Sequence, residues 1–233
     1  MKSLKITLLL LAICMSNLAF SHALWIETNP IGVLQQKHQV KIFFGEYAQQ
    51  ESDPIKKWYS DLSDIKIYLL SPDNKKTELN KKANEGFYET EFTPTLEGNY
   101  HVYIEHPTKA PYETTAFEFS SIAQVVVGNA KTNQIPTQFG ISYEPKKYAI
   151  AQKIDAKLWY RQAAHPDAEI TIISPSGWTK TTRTNQQGNF SIMPLEKGMY
   201  LIEGSTEEMT ERDWFGKSIK KIWKGTTTTL FVD

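Results

Sequence analysis

The stretch ITIISPSGWTKTTRTNQQGNFSIMPLEKGMYLIE, Ile170 to Glu203, decides the plan of this chain, because Ile65 to Glu105 repeats it. Ser71-Pro72 stands where Ser174-Pro175 stands, Gly86-Phe87 matches Gly188-Asn189-Phe190, Pro94 matches Pro194, and Gly98-Asn99-Tyr100 matches Gly198-Met199-Tyr200. Across these pairs the offset drifts only from 103 to 100. The repeat reaches back, with Gln36 to Phe44 matching Gln152 to Tyr160 at a spacing of 116, and forward, with Gln124 to Val127 matching Thr229 to Val232. Each copy is therefore a complete folding unit. Two copies are too few for a solenoid, whose repeats bury their faces only by stacking.

Within each copy, short runs of alternating or continuous apolar residues are broken by turns, at Asn29-Pro30 in the first, at Pro145 in the second and at Ser-Pro and Gly-x in both, the pattern of half-buried strands. The expected fold class is all-β, with two tandem antiparallel Greek-key β-sandwich domains. The expected division is a signal peptide over 1–21, a first sandwich over 22–128, a polar linker over 129–135 and a second sandwich over 136–233. A half of about 100 residues can bury a core of its own. The linker is expected to hold the domains close without fixing their angle.

Residues 1–21 read as a secretory leader: Lys2 and Lys5 precede the apolar run Ile6 to Cys14, and small residues follow. The run is short for a bilayer span. In a two-membrane bacterium such a protein is expected in the periplasm. Cys14 is the only cysteine and lies in the leader, so the mature chain is expected to carry no disulfide, thiolate site or cysteine nucleophile. Lipid anchoring through Cys14 is the competing reading of the same segment. The 26 acidic and 26 basic residues give no broad electrostatic case for nucleic acid or anionic membrane.

Cleavage after Ser21 would leave His22 as the N-terminus, and cleavage after Ala23 would leave Leu24. A terminal histidine offers its α-amine and Nδ1 to one ion, which with one more imidazole suits nickel or copper. The alternative is a frayed terminal residue. The second imidazole is sought among His101, His106 and His38. Period-2 geometry over Asn99 to Glu105 puts Tyr100, Val102 and Ile104 on the core face and leaves His101 and Glu105 on the outer one. His165 is expected in a turn.

Residues 45–63 have no counterpart in the second half and form an insertion carrying Glu46, Tyr47, Trp58 and Tyr59. Insertions on a rigid sandwich often carry binding groups. Residues 207–223 mix charges in a way that allows helix, and carry Trp214, Phe215 and Trp223. Trp58, Tyr59 and Trp214 are the candidates for a partner-binding aromatic patch. No nucleotide loop, nucleophile elbow or His-Glu-x-x-His pair occurs, so no enzyme is expected.

The chain resembles a bacterial family of secreted proteins built around a domain of unknown function and often labelled nickel uptake transporter family proteins. The resemblance rests on His22 to Glu27, Glu97 to Tyr100, Gly140 to Pro145, Ala168 to Ile173 and Thr184 to Phe190, and covers nearly the whole mature chain. It implies transthyretin-like or immunoglobulin-like sandwiches, a periplasmic or surface location and transition-metal handling, with His22 matching the family's histidine beside the cleavage site. The expected function is binding of a divalent metal ion, nickel or copper, in support of uptake or homeostasis, with an outer-membrane or periplasmic transport component as a partner. The rival is an interaction module that binds a receptor, glycan or protein through exposed aromatics, without metal.

Overall fold

The computed structural model describes residues 22–129 and 135–233; the leader, with Cys14, and linker residues 130–134 lie outside the described residues. The first half contributes β1 (Ala23–Thr28), β2 (Ile31–Gly32), β3 (His38–Glu46), β4 (Glu51–Ser52), β5 (Ile67–Leu70), β6 (Lys76–Leu79), β7 (Lys82–Ala83), β8 (Phe87–Phe92), β9 (Gly98–Pro107) and β10 (Thr115–Val127). The second contributes β11 (Phe139–Tyr143), β12 (Lys147–Tyr148), β13 (Ile154–Tyr160), β14 (Ala163–Ala164), β15 (Glu169–Ile173), β16 (Thr179–Arg183), β17 (Asn189–Ile192), β18 (Gly198–Trp214) and β19 (Lys217–Val232). The only helical turns among the described residues are three short 3-10 turns in the insertion, at Tyr47–Gln49, Ile55–Lys57 and Leu62–Asp64.

Each half forms a sandwich of the same design. In the first, β1-β3-β8 faces β10-β9-β5-β6; in the second, β11-β13-β17 faces β19-β18-β15-β16. Three strands against four in this order is the fibronectin type III arrangement of the immunoglobulin-like sandwich. In both halves a two-residue strand leaves the first sheet and pairs in parallel with the end of the last strand, β2 on Val126–Val127 and β12 on Phe231–Val232. Period 2 places Leu24, Ile26, Val40 and Ile42 opposite Tyr100, Val102 and Ile104 in one core, and Ile141, Ile154 and Leu158 with Ile170, Tyr200 and Ile202 in the other.

The repeated Ser-Pro and Gly-x-Tyr positions now have a physical reason. Tyr100 Oη accepts the N–H groups of Thr95 and Leu96 at 3.1 and 2.9 Å, and Tyr200 Oη accepts those of Leu195 and Glu196, both at 3.0 Å. This is the tyrosine-corner bond of such sandwiches. Gly98 and Gly198, at φ +131° and +125°, lie against the rings of Pro72 and Pro175, where a Cβ would stand 2.9 and 2.7 Å away. The proline, the glycine and the tyrosine are one corner, built twice.

The two sandwiches share a sheet. Thr115–Ile122 of β10 pairs in parallel with Lys221–Thr228 of β19, so the two four-stranded layers, with β2 and β12 added, run together as one ten-stranded sheet. The linker was expected to leave the angle between domains free, and this ladder fixes it. Thr227 and Thr229 hydroxyls bond the carbonyls of Leu24 and Ile26 on β1, whereas Ser120, one position out of phase, bonds Phe139 on β11. Hence β1 lies over one face of the fused sheet and β11 over the other.

Burial on both sides follows. Leu24 and Ile26 enter the first core, while Ala23 and Trp25 pack on Ile173 and Leu201 of the second sandwich. In mirror fashion Tyr103 and Ile122 meet Ile135 and Trp159. The insertion closes the seam: Tyr47 donates to the Met199 carbonyl and Gln50 to that of Pro175, each at 2.5 Å. Residues 207–223, where helix was allowed, form instead the far part of the β18–β19 ribbon, in which Glu207 to Met209 pair with Lys221 to Trp223 and Arg212 to Trp214 with Lys217 to Ile219. Ile219, Ile222 and Trp214 clamp on Ala116.

Candidate functional site at the seam

The four histidines named from sequence stand in four separate surroundings. His22, at the start of β1 and about half exposed, has Nδ1 2.8 Å from Glu46 Oε1 and Nε2 3.3 Å from Asp53 Oδ2, with its ring against Phe44. His38 is buried, 2.8 Å from the Thr28 hydroxyl and tilted on Phe92; burial lowers its pKa. His106 lies 3.4 Å from Asp61. Burial pushes the Asp61 carboxyl up, but hydrogen bonds from Lys109 and Ser60 and the nearness of His106 bring it down to about 2.

His101 does lie on the outer face of β9, the face on which Tyr103 and Ile122 meet Ile135 and Trp159, and it is 1% exposed. Burial outweighs its bond with Gln124 and pulls its pKa down to about 4. None of His38, His101 and His106 is brought to His22. Among the described residues no three His, Cys, Asp or Glu side chains gather as a metal cage.

The aromatic candidates also move inward. Trp58 is 5% exposed, donates its indole N–H to the Asp53 carbonyl at 2.9 Å and packs between Phe44 and Tyr88. Trp214 is 8% exposed and donates to Thr108 at 2.7 Å. An indole whose N–H is satisfied internally and whose rings are covered is core, so the expected exposed patch is not built from these two. Tyr59 is half-buried, bonded to the Ala110 carbonyl and edge-on to Phe117.

What the seam does assemble is an acidic cleft of about 320 Å³. Its rim is His22, Glu46 and Ala48; its floor is the face of β15, β18 and β19 that carries Thr171, Glu203 and Thr227. Three carboxylates line it, Glu46, Glu169 and Glu203, and among the described residues no Lys or Arg does. Removal from water and then the charge of Glu46 push the Glu203 carboxyl up to about 7. Glu46 is raised too, by burial first, with His22 opposing. A carboxyl so raised inside a cleft marks a candidate functional site.

The opposite face of the seam gives a contrast. A second cleft of about 320 Å³ there is lined by Glu105, Glu118 and Glu208, but also by Arg161, Arg212 and Lys224. Lys224 pairs with Glu118 and lies 3.8 Å from Glu208, which also receives Arg161 at 3.0 Å and the Tyr160 hydroxyl at 2.9 Å. Its charge is neutralised from within. In the first cleft neither Lys nor Arg is among the described lining residues, and the one basic side chain there is His22, with Arg183 acting on Glu169 from outside.

On its other side His22 borders a groove of about 490 Å³ walled by Phe44, Tyr59, Phe117, Phe119 and Trp223, with Asp53, Lys57 and Tyr112 at its polar edge. Glu203, Asp53 and Trp223 escaped sequence reasoning as site residues because nothing in local spacing links them to His22. The one available signal was a glutamate in the apolar run Met199 to Glu203.

No protein-family model and no curated protein matches the chain. Among solved structures it is similar to a DUF4785 family protein from Legionella pneumophila, at 12% identity and TM-score 0.32 over 84% of this chain and 54% of that one. It is similar to a two-domain fibronectin type III segment of chicken tenascin, at 8% identity and TM-score 0.27 over 91% and 99% of the two chains. Elastase-activated Escherichia coli alpha-2-macroglobulin matches at 9% identity and TM-score 0.30 over 91% and 20%. The chain thus spans about half of the Legionella protein and a fifth of the macroglobulin. At such scores these likenesses carry no argument of their own, and the fold rests on the strand order above.

Proposed function

We propose that this is a secreted, non-enzymatic protein of the bacterial cell envelope that binds a divalent transition-metal ion, nickel or copper, as cargo at His22. The observation that carries this reading is the acidic cleft that Glu46, Glu169 and Glu203 line together with His22, with no Lys or Arg among the described lining residues. Imidazole nitrogen with carboxylate oxygen is a donor set for late first-row metals. His22 would supply a ring nitrogen and, if cleavage follows Ser21, its α-amine. Glu46 would turn from ion-pair partner to ligand or to the group that orients the ring. Glu203 would supply charge from the floor.

His101, His106 and His38 have no part in this set, since each is engaged elsewhere. Uptake or homeostasis, and a transport partner, remain the setting that the family resemblance suggests. The test is intact mass of the secreted protein followed by calorimetric titration with nickel and copper. A chain beginning at His22 that binds one ion, and loses it in His22→Ala, supports the reading. Equal binding by wild type and His22→Ala sinks it.

A further inference from the structure

We propose that the aromatic groove beside His22 receives the organic part of a small metal chelate, so that the ion arrives at His22 already carrying a carboxylate-bearing ligand. This rests on the cation reading above and names the form of the cargo.

Two observations lead to it. The first is an incomplete donor set. The imidazole has one carboxylate at each nitrogen, Glu46 at 2.8 Å and Asp53 at 3.3 Å, on opposite sides of the ring. A single ion at one nitrogen therefore reaches only one of them, and no third ligating side chain completes a cage among the described residues. Late first-row ions take four to six donors. Even with the α-amine of His22 the protein supplies at most three donors, so the rest must come from something else.

The second observation is where that something would lie. His22 Nε2 and Asp53 face the groove, whose far wall is the ring cluster of Phe44, Phe117, Phe119 and Trp223, with neighbouring centroids 5.5 to 6.5 Å apart. At about 490 Å³ the groove has the size of a small-molecule site. Its rings offer flat apolar surface for a planar ligand. Lys57, exposed at the edge, is placed for a ligand carboxylate. A bare hydrated ion would use none of this. A chelate with a ring and a carboxylate, of the kind an amino acid such as histidine makes, uses all of it.

The experiment titrates the secreted protein with nickel in a weakly coordinating buffer, with nickel plus excess L-histidine, and with L-histidine alone, reading heat and the quench of Trp223 fluorescence against Trp223→Phe. Expected is at least about tenfold tighter binding of nickel–histidine than of nickel. Lys57→Ala and Tyr112→Ala, both at the exposed edge, should weaken the complex about tenfold and leave free nickel unchanged. If the complex binds no tighter than nickel, or the edge variants weaken both alike, the chelate proposal falls and the cation reading stands. Binding of histidine as tightly without nickel also overturns it. If neither nickel nor its complex binds, the cation reading itself has failed.

Discussion

Thr227, on the last strand, places its hydroxyl 2.6 Å from the backbone carbonyl of Leu24, on the first. The same oxygen is 2.8 Å from the Ser121 hydroxyl, so one buried side chain ties β1, β10 and β19 together beneath the acidic cleft. Thr227→Val keeps the shape and leaves the Leu24 carbonyl without this donor. The expected cost is about 1–3 kcal/mol in urea unfolding. Wild type should unfold in one transition, superimposable by circular dichroism and tryptophan fluorescence, because neither sandwich ends where the other begins. Two separated transitions would refute the shared ladder as an energetic unit.

The two tyrosine corners are equivalent by geometry and should be equivalent in energy. Tyr100→Phe and Tyr200→Phe each strand two backbone N–H groups. Each should lose about 1–3 kcal/mol, and the double variant the sum to within about 0.5 kcal/mol, as the sites lie in different sandwiches. Denaturant midpoints at constant slope would measure this. A large loss at one corner and none at the other would contradict it.

The Glu203 carboxyl makes stability fall as pH rises. Burial, with Glu46 beside it, lifts its pKa from the ordinary 4.5 to about 7, so the native state keeps a proton that the unfolded chain gives up. The stability present below about pH 4.5 is lost progressively up to about pH 7, by at most about 3 kcal/mol, less whatever water in the cleft screens. Glu203→Gln should flatten that slope and be more stable than wild type above pH 7. Metal binding at pH 6 should release a proton from wild type, seen as a dependence of the heat on buffer ionisation enthalpy, and release less from the variant.

Glu46 either ligates the ion or holds His22 for it. Glu46→Gln keeps size and loses charge, and metal affinity should drop about 10- to 100-fold while the melting temperature stays within a few degrees. Arg161→Gln, in the neutralised cleft on the opposite face, should leave metal affinity unchanged. A gain in the Arg161 variant as large as the loss in the Glu46 variant would point to a change in overall charge and away from a site.

Much of the fold was legible because the repeat fixed which turns correspond, and alternation fixed which residues of each strand face the core. The same alternation assigned His101 to the outer face correctly and its surroundings wrongly. Period 2 tells which side a residue takes, never what later covers that side, and here the cover comes from the other half of the chain. The Glu207–Trp223 stretch misled for a related reason: its two-stranded ribbon sets Arg212 opposite Ile219 and Lys217 opposite Trp214, as mixed a composition as that of a surface helix. His22 was findable from its place after the leader. Glu203 was not, since it joins His22 only through a strand pairing between distant segments.

The parallel ladder between β10 and β19 also governs how these molecules behave toward one another. Two separate sandwiches of this type would each present their last strand as an open edge, four unpaired edges in the four-stranded layers. Fusing those layers hides two. The edges left, β6 with the sequence KTEL and β16 with TKTTR, are 4 and 5 residues long and carry Lys76, Lys180 and Arg183. Short, cationic edges resist addition of a further strand. The wide sheet therefore ends in its own stoppers, and its two outer edges offer little backbone for self-association.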